Sequence, residues 1–152
     1  MKKLFVSLFL LLGLAAASNA QNIDTETIKT VIKTEKRIFF TENMQLSLDE
    51  AGKFWELYDE YELAKGEIGR EKTKLFEQMI EETDGITDEE AQEMVLTLLD
   101  LQQRSLKVEK KYMKIMMKEL SPKTVARFFQ LNELVNSFLK TQILSEMPII
   151  QK

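Results

Sequence analysis

TDEEAQEMVLTLLDLQQRSLKVEKKYMKIMMKEL, Thr87 to Leu120, runs without a glycine or a proline, and its apolar residues recur at helical spacing. Placed at about 100° per residue, Ala91, Met94, Val95, Leu98, Leu99, Leu101, Leu106, Val108, Tyr112, Met113, Ile115, Met116 and Met117 fall on one side. Arg104, Lys107, Lys110, Lys111, Lys114 and Lys118 fall on the other. A surface helix needs an apolar stripe a little over ~100° wide to face its own core, and this stripe covers roughly twice that. The surplus must be covered by a second helix layer, a partner subunit or a client.

The segments on either side carry their own start and stop signals. Thr87-Asp88-Glu89-Glu90 is a capping box, in which the Thr87 hydroxyl and the Glu90 carboxylate satisfy each other's backbone N–H groups. Acidic residues open this helix and lysines close it, as the helix macrodipole favours. Upstream, Thr83-Asp84-Gly85 supplies a turn. Before it, Ser47 and Glu50 form a second capping box in LSLDEA, opening a helix with Phe54, Tyr58, Tyr61, Ile68, Leu75 and Met79 on one side and Trp55, Leu57 and Phe76 widening it. Gly52, Gly66 and Gly69 interrupt its propensity, so the sequence predicts either a bend near Gly66 to Gly69 or a close helix approach at these glycines.

Asp24 or Thr25 caps a first helix to about Met44, with Ile28, Val31, Ile32, Ile38 and Phe39 at helical spacing and Phe40 beside them. Downstream, Ser121 caps a fourth helix with Pro122 at its first position, where the missing N–H costs nothing. Val125, Phe128, Leu131, Val135 and Phe138 mark its buried side, flanked by Phe129, Leu134 and Leu139, and Pro148 stops it. No strand alternation competes. The fold class is all-α: four helices, two of them long, in an elongated or cradle-shaped helical hairpin assembly. Helices of ~30 residues reach ~45–50 Å, whereas a compact particle of about 132 residues has a radius of gyration near ~14 Å. Apolar surface is thereby left over, and symmetric dimerisation is its commonest remedy.

MKKLFVSLFLLLGLAAASNA, residues 1–20, places Lys2 and Lys3 before an apolar run and ends in small residues, the layout of a secretory signal peptide cleaved before Gln21. The apolar run is shorter than the ~20 residues that a membrane span needs. Residues 21–147 are then expected to form one helical domain and residues 148–152 a tail, in a periplasmic product without stable membrane insertion. Losing Lys2 and Lys3 leaves 19 basic against 25 acidic residues, a net charge of −6, which disfavours a nucleic-acid binder.

The 152-residue chain contains no His and no Cys, so no Ser-His-Asp or Cys-His arrangement and no thiolate or imidazole metal set can be built. Asp59, Glu60, Glu62, Glu67 and Glu71 read as the solvated side of a helix rather than as carboxylates facing across a cleft. Ser47 and Ser121 are explained as caps, not nucleophiles. No catalytic residue, metal or cofactor is expected. Trp55, Tyr58 and Tyr61 read as core. Tyr112 to Lys118, YMKIMMK, has two open readings. Its methionines either fill the core beside solvated lysines, or present a soft adaptable surface with basic steering for acidic, unfolded segments. A thioether Cu(I) site is the least favoured alternative.

RIFFTENMQLSLDEAGKFWELYDEYE, ITDEEAQEMVLTLLDLQQ and KKYMKIMMKELSPKTVARFFQLNELV together resemble the Spy/CpxP-like periplasmic family, whose members carry two L-T-x-x-Q motifs. The first motif corresponds to Leu46, Ser47, Leu48, Asp49 and Glu50, with Glu at the Gln position; the second corresponds to Leu120, Ser121, Pro122, Lys123 and Thr124, with Thr there. The resemblance implies a cradle-shaped antiparallel homodimer. It also implies either an ATP-independent chaperone that holds unfolded or partly folded polypeptides, or a regulatory subunit that docks on the outer domain of a membrane sensor. Metal-responsive relatives use His and Cys ligands, which this chain lacks, and residues 141–152 depart from the arginine-rich ends of similar chains. With the resemblance added, the expected client face comprises Arg104, Lys107, Lys111, Met113, Lys114 and Met117.

Overall fold

The computed structural model describes residues 25–81, 85–147 and 149. The expected signal peptide, the residues Thr83 and Asp84 of the expected turn, and all but Ile149 of the expected tail lie outside the described residues. Four helices follow one another, α1 (Thr25–Asn43), α2 (Leu48–Glu81), α3 (Asp88–Glu119) and α4 (Pro122–Glu146), and no strand occurs among the described residues. The chain divides into two compact units, Met1–Asn43 and Met44–Lys152.

In the first unit, α1 buries Phe40, whose ring meets Phe39 edge-on at 5.6 Å, and leaves Val31 and Ile38 exposed. The residue beside the apolar row is therefore the one most deeply covered.

In the second unit, α2 and α3 form a long antiparallel hairpin. Tyr61 meets Tyr112, Lys65 reaches Ser105 and Glu71 pairs with Arg104, so positions descend on one helix as they rise on the other. Helix α4 turns back at Leu120-Ser121 and rises in parallel with α2: Phe54 and Tyr61 both touch Phe128, and Tyr61 also meets Asn132.

The core of this unit has two parts. One is aromatic, with the Phe128 ring receiving Phe54, Tyr58 and Tyr61 at 5.4, 6.0 and 5.9 Å, all near-perpendicular. Such edge-to-face contacts add to the area burial that dominates aromatic energetics. The other is aliphatic, with Ile68, Leu75, Met94 and Leu101 buried and Met79, Ile86, Leu98 and Val108 packed against them. Phe54, Tyr58, Tyr61, Ile68 and Leu75 are buried, as their spacing predicts, while Trp55 and Phe76 are half-buried.

The caps explain why the helices begin where they do. Thr87 and Glu90 close the full box, with Thr87 N–H donating to Glu90 at 2.9 Å and Glu90 N–H to the Thr87 hydroxyl at 3.2 Å. Thr124 N–H donates to the Ser121 hydroxyl at 3.1 Å, with Pro122 in the first turn. Leu120 and Val125 stand at staple spacing around this cap and both are buried. Helix α2 runs unbroken through its glycines, and a Cβ added at Gly52 or Gly69 would meet no atom within 4 Å. The close-approach reading of those two positions is thereby corrected: no neighbour comes near enough to require them.

Candidate functional site

The surplus apolar stripe of α3 is divided by its neighbours. Met94, Leu101, Tyr112, Met113 and Met116 are buried, whereas Val95, Leu99, Leu106 and Met117 stay between 55 and 63% exposed. The four exposed residues are separated by one, two and three turns and make a single row along the helix. Leu96 lies beside the row and is equally open.

Lys107, Lys110, Lys111, Lys114 and Lys118 are exposed next to it. Lys110 follows Leu106 by four residues and Met117 follows Lys114 by three, so apolar and basic groups share one side of the last four turns. Among the described residues, no carboxylate lies at ion-pair distance from any of these five lysines. The Lys111 ammonium sits 5.4 Å from the Tyr112 ring centroid.

Two residues expected on this face are placed elsewhere. Met113 is 7% exposed and belongs to the core. Arg104 is clamped in a bidentate pair with Glu71, both N–H···O distances being 2.6 Å, and Asp100 stands 3.7 Å away. Its hydrogen bonds to Glu71 hold the guanidinium above its ordinary pKa and hold the Glu71 carboxyl below the usual carboxylate range. Arg104 ties α2 to α3. The candidate face thus consists of Lys107, Lys111, Lys114 and Met117 together with the row that Leu106 and Leu99 extend.

The six motif residues occupy the helix starts. Leu46 is half-buried, Leu120 is buried, and Ser47, Ser121 and Pro122 are exposed. Glu50 does not complete the expected box on its own helix. Its N–H donates to the Ser47 hydroxyl at 3.3 Å, yet its carboxylate takes the Ser47 hydroxyl at 3.1 Å and crosses to α4, accepting Ser121 N–H at 3.1 Å and the Thr124 hydroxyl at 2.8 Å. Thr124 is too short to reach back to Ser121 N–H, and Glu50 supplies that acceptor from another helix. The Ser121 and Thr124 bonds hold the Glu50 carboxyl below its ordinary pKa.

A polar seam crosses the interior where the three helices meet. Asn132 is fully buried and donates through Nδ2 to the Tyr61 hydroxyl at 3.2 Å, while its Oδ1 has no partner among the described residues. Burial pushes the Tyr61 phenol far above its usual pKa, and the Glu109 carboxylate adds to the effect. Burial likewise raises Glu109, against the pull of the Lys65 ammonium at 3.9 Å. Asn132 stands four residues after Phe128 and seven after Val125, on the side that the apolar spacing marks as buried, but nothing local points to its partner Tyr61, 71 positions away.

No protein-family profile, curated protein or solved structure matches this chain. No group of three or more acidic, His or Cys side chains able to hold a metal occurs among the described residues, and no described helix is long and apolar enough to cross a membrane.

Proposed function

We propose that this protein is an exported helical binding protein that holds unfolded or partly folded polypeptides on the outer face of α3 without a nucleotide. The observation carrying this reading is the uncovered row Val95, Leu99, Leu106 and Met117 beside five lysines that lack carboxylate partners among the described residues. Isolated exposed apolar residues are ordinary, whereas several aligned on one side of a helix point to an interaction surface. Met117 supplies the flexible, polarisable contact that suits many shapes. The lysines steer acidic chain segments toward the row. A client leaves as its own apolar surface becomes buried. The resemblance to the Spy/CpxP-like family points the same way. Phe129, Leu134, Ile143 and Leu144 on α4 are 45 to 49% exposed, and pairing with a second copy would cover them.

The test is dilution of a chemically unfolded substrate into buffer containing the chain from Gln21 onward. Light scattering is expected to fall at near-stoichiometric ratios, and the double variant Leu106→Glu, Met117→Glu to lose that effect while keeping its helical spectrum. Unchanged scattering at every ratio rules the holding role out. Solution scattering on the same sample gives the mass and so checks the pairing.

A further inference from the structure

We infer that the C-terminal half of α3 is a docking face for an anionic phospholipid surface, on which the protein lies peripherally. Lys107, Lys111, Lys114 and Lys118 recur at i, i+4, i+7 and i+11, a line about 16 Å long at 1.5 Å rise per residue. Lys110 stands beside them. All five are exposed, and none has a carboxylate partner among the described residues. The chain as a whole carries a net charge of −4, so this concentration of positive charge runs against its own background. Three other basic groups in the same unit are engaged: Arg104 with Glu71, Lys65 with Glu109 and Ser105, Lys53 with Glu56. Arg70, Lys74, Lys123 and Lys140 are exposed as well, but they are spread over α2 and α4, whereas the five lysines of α3 form the densest run of exposed basic groups along one helix.

The neighbouring row decides between a lipid surface and a soluble polyanion. Leu106 and Met117 lie within one turn of Lys110 and Lys114, and both are more than half exposed. A dissolved polyphosphate would neutralise the lysines and leave this row in water. A bilayer interface takes both, with ammonium groups at the lipid phosphates and apolar side chains at the acyl boundary. Asp88, Glu89, Glu93 and Asp100 occupy the N-terminal half of α3 and are repelled by the same surface, which sets the contact at the lysine end. The attraction acts over a Debye length of ~10 Å at 0.1 M salt and is lost as that length shrinks. This inference does not rest on client holding: a protein that binds vesicles and suppresses no aggregation would retain it and lose the proposed function, and the converse result would do the reverse.

The experiment is co-sedimentation of the chain from Gln21 onward with vesicles of phosphatidylcholine alone and of phosphatidylcholine with phosphatidylglycerol, at low and at 1 M salt. Binding is expected only to the anionic vesicles and only at low salt. The variant Lys107→Glu, Lys111→Glu, Lys114→Glu, Lys118→Glu should lower the bound fraction more than about tenfold. The control Lys33→Glu, Lys74→Glu, on α1 and α2, should bind as the parent does. The variant Leu106→Ser, Met117→Ser should also bind less while its circular dichroism is unchanged. Equal binding to both vesicle types, or no binding to either, overturns the inference. Full binding by the serine variant, together with displacement by soluble polyphosphate, overturns it in favour of a general polyanion site.

Discussion

The Glu50 carboxylate on α2 accepts the backbone N–H of Ser121, the cap of α4, at 3.1 Å, across 71 positions of sequence. One side chain thereby serves two helix starts, since its other oxygen takes the Ser47 hydroxyl at 3.1 Å. The N-terminal ends of α2 and α4 both carry positive partial charge, and an anion between them is favoured by both. The two short motifs are therefore one physical unit, with the acidic residue of the first completing the cap of the second.

This gives a pH dependence of known sign. Hydrogen bonds from Ser121 and Thr124 hold the Glu50 carboxyl below its usual value of 4.5 in the folded state. A carboxyl with a depressed folded pKa contributes stability that is complete above the unfolded value and is lost as pH falls through the folded one. Glu71 and Glu90, held down by Arg104 and by Thr87, act in the same direction. Urea midpoints should decline from about pH 5 downward. Glu50→Gln, which keeps an acceptor for Ser121 N–H, should reduce the slope, and Glu50→Ala should lower stability at neutral pH as well. Ser121→Ala removes a cap and should cost about 1 kcal/mol. An identical acid slope in the parent and Glu50→Gln contradicts the assignment.

The Tyr61–Asn132 bond predicts a non-additive pair. Tyr61→Phe strips the Asn132 side chain, a fully buried amide, of the one hydrogen-bond partner it has among the described residues, and should cost about 1–3 kcal/mol. Asn132→Leu leaves the Tyr61 hydroxyl without its donor but removes the orphaned Oδ1. The double variant replaces both polar groups by apolar ones and should be more stable than the sum of the two single changes implies. Chemical denaturation of the four proteins measures the coupling. Strict additivity would mean that the two groups do not interact.

Helix existence, caps and most of the core were legible because they depend on local spacing. Thr87 with Glu90, and Ser121 with Pro122, signal their helices within four residues. Phe54, Tyr58, Tyr61, Val125 and Phe128 are buried because one apolar side per helix suffices to find them. What was not legible depends on which helix lies alongside which. Met113 and Met117 are both apolar and only about 40° apart around α3. Met113 is sealed and Met117 open, a difference set by what packs against α3 and not by its own spacing. Arg104 looked like its neighbouring lysines until Glu71, 33 positions away, was brought within 2.6 Å. Glu50 had an adequate partner in Ser47, so nothing pointed to Ser121.

Gly69 offers a stabilising change. It lies inside α2, is exposed, and a methyl group there meets nothing within 4 Å. Gly69→Ala should raise stability by about 0.5–1 kcal/mol through the lower entropy of the unfolded chain. Thermal unfolding should shift upward by about 2–5 °C. A downward shift would show that the helix needs the glycine for a bend.

Arg104 and the lysines should separate in function. Arg104→Met breaks the bidentate bond between α2 and α3, leaving Glu71 without its strongest partner. It should lower the urea midpoint, with a smaller effect at high salt because the pair is exposed. Client holding at temperatures well below unfolding should be unchanged. Lys114→Glu should do the opposite, leaving stability near that of the parent while weakening capture of acidic substrates.

The two methionines give the sharpest contrast. Met113 is 7% exposed, and Met113→Ala should cost about 2–5 kcal/mol through lost burial and the cavity left behind. Met117 is 57% exposed, so Met117→Ser should change stability by no more than about 0.5 kcal/mol. Capture of unfolded substrate should respond in the reverse order once both variants are compared at equal fractions folded. Met117→Ser should weaken it, since the serine removes the soft apolar end of the row that begins at Val95. Met113→Ala should leave it intact, since a residue buried on the inner side of α3 offers nothing to a client. If capture instead tracks Met113 and ignores Met117, clients enter the core of the hairpin, and the outer face of α3 is only its solvated side.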